Sequence, residues 1–114
     1  MKSVIIGLTT PEAVSQRFIR AWETGEPQAA QIGFLTIEDL WKTLTPDRWE
    51  ILKAMTGAGP LAIRDIATRV GRDLTAVGGD LRLLVNAGLL EKTGDGNIVF
   101  PYDEVHVDFV LKAA

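Results

Sequence analysis

Five basic side chains, Arg64, Arg69, Arg72, Arg82 and Lys92, fall on polar faces or ends of helical segments and on one arm of a hairpin. A guanidinium offers a planar fork of donors that matches a phosphate or the edge of a guanine, and an ammonium supplies a mobile point charge. Set beside Thr75, Ala76 and Gly79, which belong to the same stretch as Arg82, they form a candidate set for contacting double-stranded DNA. The competing reading is a solvated surface, because residues 46–100 carry equal numbers of basic and acidic side chains.

Other chemistry is less well supported. The tail "DEVHVDF" alternates strictly, so as a strand it sets Glu104, His106 and Asp108 on one face and Val105, Val107 and Phe109 on the other. Two carboxylates and an imidazole can hold a divalent metal, but His106 is the only histidine and a flat strand face closes a coordination sphere poorly. An acidic, solvated face is the expected outcome. Ser3 and Ser15 have no recognisable base, and neither a P-loop nor a dinucleotide fingerprint occurs. Gly94 and Gly96 in "TGDGN" read as turn residues. The sequence therefore points away from an enzyme and calls for no cofactor and no metal.

The elements that would hold these residues follow from pattern. "SVIIGL" (Ser3 to Leu8) reads as a strand, and Thr10-Pro11 as the cap and first position of a helix carrying Val14, Phe18, Ala21 and Trp22, closed by Gly25. "EPQAAQ" (Glu26 to Gln31) reads as a linker and "IGFLTI" (Ile32 to Ile37) as a second strand. Thr36 can then cap a short helix with Leu40, Trp41 and Leu44. From Thr45 the pattern sharpens. Thr45-Pro46 starts a helix to Met55, with Leu44 and Trp49 at the staple positions. "LAIRDIATRVG" gives a second helix on Ile63, Ile66, Ala67 and Val70. "GRD" is a tight connection to a third, with Leu74, Val77, Leu81, Leu84 and Val85 on one face. Leu89 to Lys92, "TGDGN" and Ile98 to Phe100 make a hairpin. Phe18, Trp22, Trp41 and Trp49 are expected in the core.

The predicted fold is α+β: a winged helix-turn-helix over 45–100, preceded by a strand-helix-strand extension over 1–44 and followed by a C-terminal strand and tail over 101–114 packed on the same domain. In that arrangement the third helix suits the major groove, the second braces it, and the hairpin reaches a neighbouring phosphate or the minor groove.

Composition is consistent with one domain. The 114 residues are 46% hydrophobic with a formal net charge of −3, which excludes a broadly basic binder and confines any nucleic-acid contact to a local patch. There is no cysteine, hence no disulfide framework. No apolar run suits a membrane span and no leader pattern follows "SVIIGL". A cytoplasmic location is expected.

The stretch "TPDRWEILKAMTGAGPLAIRDIATRVGRDLTAVGGDLRLLVNAGLLEKTGDGNIVFPYDEVHVDFVLKAA" resembles the small prokaryotic winged-helix DNA-binding proteins related to the MarR group, some of them encoded beside a small toxin and regarded as its antitoxin. "GAGPLAIRDIATRVGRD", "AGLLEK" and "PYDEVHVDFVLKAA" carry the likeness most specifically. It covers about residues 45–114 and, more loosely, the start. The resemblance implies a DNA-binding protein, for some members with a toxin protein as partner; half-site spacing and the modest basic count call for two copies, and the expectation is a homodimeric autorepressor. The chain departs from the family where lysine, arginine or histidine usually follows "GRD": here stand Thr75, Ala76, Gly78 and Gly79.

Adjacent glycines inside a helix each cost about 1 kcal/mol relative to alanine. On a helical wheel Thr75, Gly79, Arg82 and Asn86 lie opposite the core face, with Gly78 at its edge and Leu83 outward. Close approach to DNA, fit to a protein partner, and simple tolerance by the flanking core stripe all satisfy this placement. Two functional classes follow: a homodimeric regulator whose recognition helices address half-sites one helical turn apart, or a protein-binding module that neutralises a partner with little DNA binding. Ser3 to Leu8, Ile32 to Ile37 and Val105 to Leu111 supply more strand edge than a small domain easily hides, and their pairing is left open.

Overall fold

Thr10, Thr36 and Thr45 each stand immediately before a helix, and each hydroxyl accepts a backbone N–H three residues on, from Ala13, Asp39 and Arg48. These caps satisfy donors that the first turn leaves unpaired and fix where the helices begin. The computed structural model describes residues 2–25 and 30–108. Its elements are β1 (Ser3–Leu8), α1 (Pro11–Thr24), β2 (Ala30–Phe34), α2 (Ile37–Thr43), α3 (Pro46–Met55), α4 (Ile63–Val70), α5 (Leu74–Asn86), β3 (Glu91–Lys92), β4 (Ile98–Val99) and β5 (Glu104–Asp108). The fold is α+β: among the described residues, five helices accompany a parallel three-stranded sheet and a two-stranded hairpin.

The sheet has the order β2-β1-β5, with both neighbours parallel to β1. The start of the chain thus lies between β2 and the last described strand, and Val4 pairs with both Ala30 and Val105. Because side chains alternate along a strand, Val4 and Ile6 point into the core and are fully buried. Ser3, Ile5 and Gly7 share the other face, opposite Glu104, His106 and Asp108 in register. The predicted split of the C-terminal strand into an acidic and an apolar face therefore holds over the described residues; Phe109 to Leu111 lie outside them.

One apolar cluster joins Val4 and Ile6 to Leu40 and Leu44, to Ile51, Leu52 and Met55 of α3, to Ile66 and Ala67 of α4, to Val77, Leu81 and Leu84 of α5, and to Leu89, Ile98 and Phe100 of the hairpin region. Helix α1 adds no side chain to it. Its one buried residue is Arg17, whose Nη2 donates to Leu8 O at 2.7 Å and Nε to Gln31 Oε1 at 3.3 Å, with Nη1 3.9 Å from Asp108 Oδ2. Gly7 makes the room: a Cβ there would stand 2.9 Å from Arg17 Nη1 and 2.6 Å from Asp108 O.

Several expectations are corrected. Phe18 and Trp22 are exposed rather than core residues because α1 turns its Arg17 side to the sheet, and Trp41 is exposed because α2 buries Leu40 instead; Trp49 alone of the four packs partly against the core. Leu74, expected on the core stripe of α5, is half exposed at the first turn of that helix. The second strand begins earlier than expected and stops at Phe34, since Thr36 is committed to capping α2; Ala30 and Gln31 thus belong to β2, not to a linker, and 26–29 lie outside the described residues. Leu61 is not helical: its N–H donates to Ile98 O at 2.8 Å and its C=O accepts from Ile98 N–H at 2.9 Å, which delays α4 to Ile63. The hairpin arms are shorter than read, Glu91–Lys92 against Ile98–Val99.

Asp80 fastens the helices to one another. Its Oδ1 accepts from Arg48 Nε at 3.0 Å and its Oδ2 lies 2.9 Å from Arg72 Nη2, with all three side chains at most 25% exposed. Arg48 in turn donates to Lys42 O and Thr43 O, the last carbonyls of α2. Removing the carboxylate strands two guanidinium groups at a partly buried site. Asp80→Ala is expected to destabilise the fold by about 1–3 kcal/mol, a value discounted from fully buried pairs for solvent screening. Asp47→Ala, which breaks only the 3.8 Å contact to Arg72 from an exposed side chain, should cost less than about 1 kcal/mol. Urea denaturation of both variants checks the ranking; equal losses would contradict it.

Candidate nucleic-acid interface

Gly71 adopts the left-handed conformation (φ 68°) that ends α4, and Asp73 two residues later caps α5 by accepting from the N–H groups of Thr75 and Ala76. This short connection sets α5 against α4 and aligns the outward face of α5 with the start of α4. The paired backbone of Leu61 and Ile98 brings the hairpin to the same place. Three elements then enclose an open cleft of about 630 Å³, bordered by Arg64, Thr75, Gly78 and Arg82 together with Gly96 and Asn97 of the hairpin turn. A second groove, of about 220 Å³, has Arg82, Asn86 and Lys92 on its rim, and Gly78 borders both.

The basic residues singled out from sequence therefore divide. Arg64, Arg82 and Lys92 are exposed and line this surface with Thr75. Arg72 is turned inward onto Asp80 and Asp47, and Arg69 borders a separate groove on the α3–α4 side with Asp47, Glu50 and Lys53. Ala76 and Gly79 are exposed on α5 but line neither groove containing Arg82. Sequence reasoning missed Asn86 and Asn97, two polar side chains able to accept and donate at that rim. Asn86 was legible on the helical wheel as an outward residue; Asn97 depends on how the hairpin folds back.

Gly78 and Gly79 lie within an uninterrupted α5, and a Cβ built on either meets nothing within 4 Å. Neither needs to be glycine for backbone conformation or internal packing. Their effect is a shallow, uncharged strip beside Arg82, next to Leu83 on the outward side. At the N-terminus of α5 the carboxylate of Asp73 already occupies the free N–H groups, so that end offers little to an anion.

On the sheet, Glu104 and His106 pair with each other, Nε2 to Oε1 at 2.7 Å, while Asp108 is directed to Arg17. No group of three His, Asp or Glu side chains converges as metal ligands among the described residues. No helix among them is long and apolar enough to cross a membrane.

The hairpin turn has its own lock. The Thr93 hydroxyl and the Asn97 N–H both donate to the Asp95 carboxylate, and these two bonds hold its carboxyl below the ordinary carboxylate range. A depressed folded value means that the carboxylate contributes order at neutral pH, an effect lost as pH falls from the ordinary range through the lowered one. Protection of the Gly96 and Asn97 amides, taken relative to their intrinsic exchange rates at each pH, is expected to fall over that acidic interval before the helices unfold. Protection of Asn97 that stayed constant until global unfolding would contradict this.

No curated protein and no solved structure matches the chain significantly. The profile of the HVO_A0114 family matches residues 43–107, more than half of the chain, beginning at the end of α2 and running through α3, α4, α5, the hairpin and most of β5. On that match the chain belongs to the HVO_A0114 family.

Proposed function

We propose that the chain is a DNA-binding transcriptional regulator of winged helix-turn-helix type, related to the MarR group, and that it acts in the cytoplasm as a homodimeric autorepressor. The observation that supports this most is a pair of adjoining grooves between α4, α5 and the hairpin, one lined by Arg64 and Thr75 and the other by Lys92, with Arg82 on both. In the proposed mode α5 enters the major groove, with Arg82 and Thr75 toward base edges. Arg64 and Lys92 pair with phosphates on either side, and Gly78 and Gly79 let the helix lie close. Arg72 serves as a brace that fixes α5 through Asp80, and Arg69 stands at the periphery of the contact. Two copies place two recognition helices on half-sites about 34 Å apart.

A second reading has its own observation. Ala76, Gly79 and Leu83 make part of the exposed face of α5 uncharged, as expected of a surface that receives a protein, and the partner would be a toxin that this chain neutralises. Both uses are compatible with one fold.

Fluorescence anisotropy with the DNA upstream of the protein's own gene tests the first reading. Because few phosphates are met per copy, the slope of log affinity against log salt is expected near −3 to −5 for a dimer, at about 0.9 per neutralised phosphate. Arg64→Ala should make that slope shallower by about 2, one contact from each copy. Arg82→Ala should weaken specific binding about tenfold, or about 1.4 kcal/mol. Absence of binding at low salt, or variants that leave both quantities unchanged, would overturn the reading.

The glycines separate the two uses. Gly78→Ala and Gly79→Ala are each expected to stabilise the fold by about 0.5–1 kcal/mol, since the helix gains propensity and the added methyl meets no neighbour. A firmer fold with weaker DNA binding assigns the strip to DNA. A firmer fold that still binds DNA but no longer neutralises a toxin assigns it to the protein. Loss of stability would contradict the regular helix.

A further inference from the structure

Strand β5 ends the sheet on one side with Glu104, His106 and Asp108, and charge along an edge discourages further pairing. β2 ends it on the other side as Ala30-Gln31-Ile32-Gly33-Phe34, without a charge or a proline. In a parallel ladder alternate residues turn their backbone groups toward the neighbour. Thr9 N–H donates to Phe34 O at 2.9 Å, so Ile32 and Phe34 serve β1, whereas Gln31 and Gly33 direct their N–H and C=O groups outward. No strand among the described residues meets them.

Beside this edge stands the apolar stripe of α1. Val14, Phe18 and Trp22 follow at i, i+4 and i+8 and are 42%, 56% and 79% exposed, with Ile19 at 52%. An amphipathic helix ordinarily buries such a stripe. Here Arg17 occupies the sheet side instead. A β–α–β connection is right-handed, and with Arg17 against the sheet the turn of α1 sets Val14, Phe18 and Trp22 toward β2 and away from β5. The neutral edge and the apolar stripe thus belong to one surface.

We infer that this surface receives a second copy of the chain: the two β2 edges pair antiparallel about a two-fold axis into a six-stranded sheet, and the two α1 stripes meet across the seam. A two-fold interface must match itself. An antiparallel strand edge does so, and a stripe without charge meets its own image without repulsion. The area is of the right order. A whole Phe or Trp side chain buries about 150–250 Å², so the exposed fractions of Phe18 and Trp22 offer roughly 300 Å² per copy by that measure, and with Val14 and the strand edge the interface falls at about the low end of the size range, as suits micromolar association. The inference deepens the dimeric part of the proposed function and is independent of DNA binding.

Sedimentation of the full chain from 1 to 100 μM, roughly the range that brackets micromolar association, is expected to show a dimer. Phe18→Glu combined with Trp22→Glu should weaken association at least about tenfold, while the far-ultraviolet circular-dichroism spectrum keeps the helix and strand content of the parent, because both side chains are exposed within one copy; the melt falls only by the stabilisation that association adds. The chain has no cysteine, so a nitroxide on Ala30→Cys reports the seam alone. Antiparallel pairing about Ile32 places the two labels roughly 15–25 Å apart, at about 3.4 Å per residue plus the label arms. A monomer at 100 μM would overturn both this surface and the dimeric reading, and would leave the stripe to residues 109–114 or to a foreign protein. A dimer that survives the double substitution, or whose labels lie beyond about 40 Å, would overturn the surface and leave a dimeric regulator standing.

Discussion

A single carboxylate determines how the helical part of the molecule is set. Asp80 accepts from Arg48 on α3 and holds Arg72 of the α4–α5 connection, and Arg48 carries the linkage on to the last carbonyls of α2. Apolar burial of Val77, Leu81 and Leu84 fixes which side of α5 faces inward, but burial is nearly indifferent to small rotations of a helix about its axis. Directional hydrogen bonds to a charged acceptor are not. The rotation of α5 decides where Thr75, Gly78 and Arg82 emerge, so the composition of the outward surface is tied to a pair of arginines that do not themselves stand on it.

The hairpin is positioned by a different means. Its arms are only two residues each, too short to hold themselves. Leu61 adds a two-bond bridge to Ile98, and buried Leu89, Leu90, Ile98 and Phe100 root both arms in the core. The Asx-type bonding at Asp95 and the positive φ of Gly96 then shape the turn. Lys92 and Asn97 thereby reach the rim that α4 and α5 form, although neither touches either helix through the sequence.

The other half of the chain is organised around its first strand. β1 is paired on both sides by segments distant in sequence, and its inward residues Val4 and Ile6 bind the sheet to the helical core. The opposite face is covered by a helix held through a buried arginine rather than through apolar contact. That exchange is intelligible in physical terms: the guanidinium finds a carbonyl, an amide oxygen and a carboxylate at the sheet, and Gly7 leaves space for it. The apolar residues of α1 are turned outward as a consequence. The family profile begins at residue 43, so β1, α1 and β2 lie before the matched region while most of β5 lies within it.

What the sequence determined by itself was whatever depends on neighbours in the chain. The threonine caps at 10, 36 and 45, the helix from Pro46 to Met55, the glycine stop at 25, the tight connection at "GRD" and the alternation of "EVHVD" all rest on local hydrogen bonding, backbone freedom or side-chain period, and all are found where the residues place them; the hairpin is found too, with shorter arms. Tertiary structure decided whatever depends on which face meets which. Nothing local says that Arg17 outcompetes Phe18 and Trp22 for the inner side of α1, since the polar partners that make this favourable come from β1, β2 and β5. Nor can spacing tell Arg72, drawn in by Asp80, from Arg82, left outside; both lie on polar positions, and only the packed helices bring a carboxylate to one and solvent to the other.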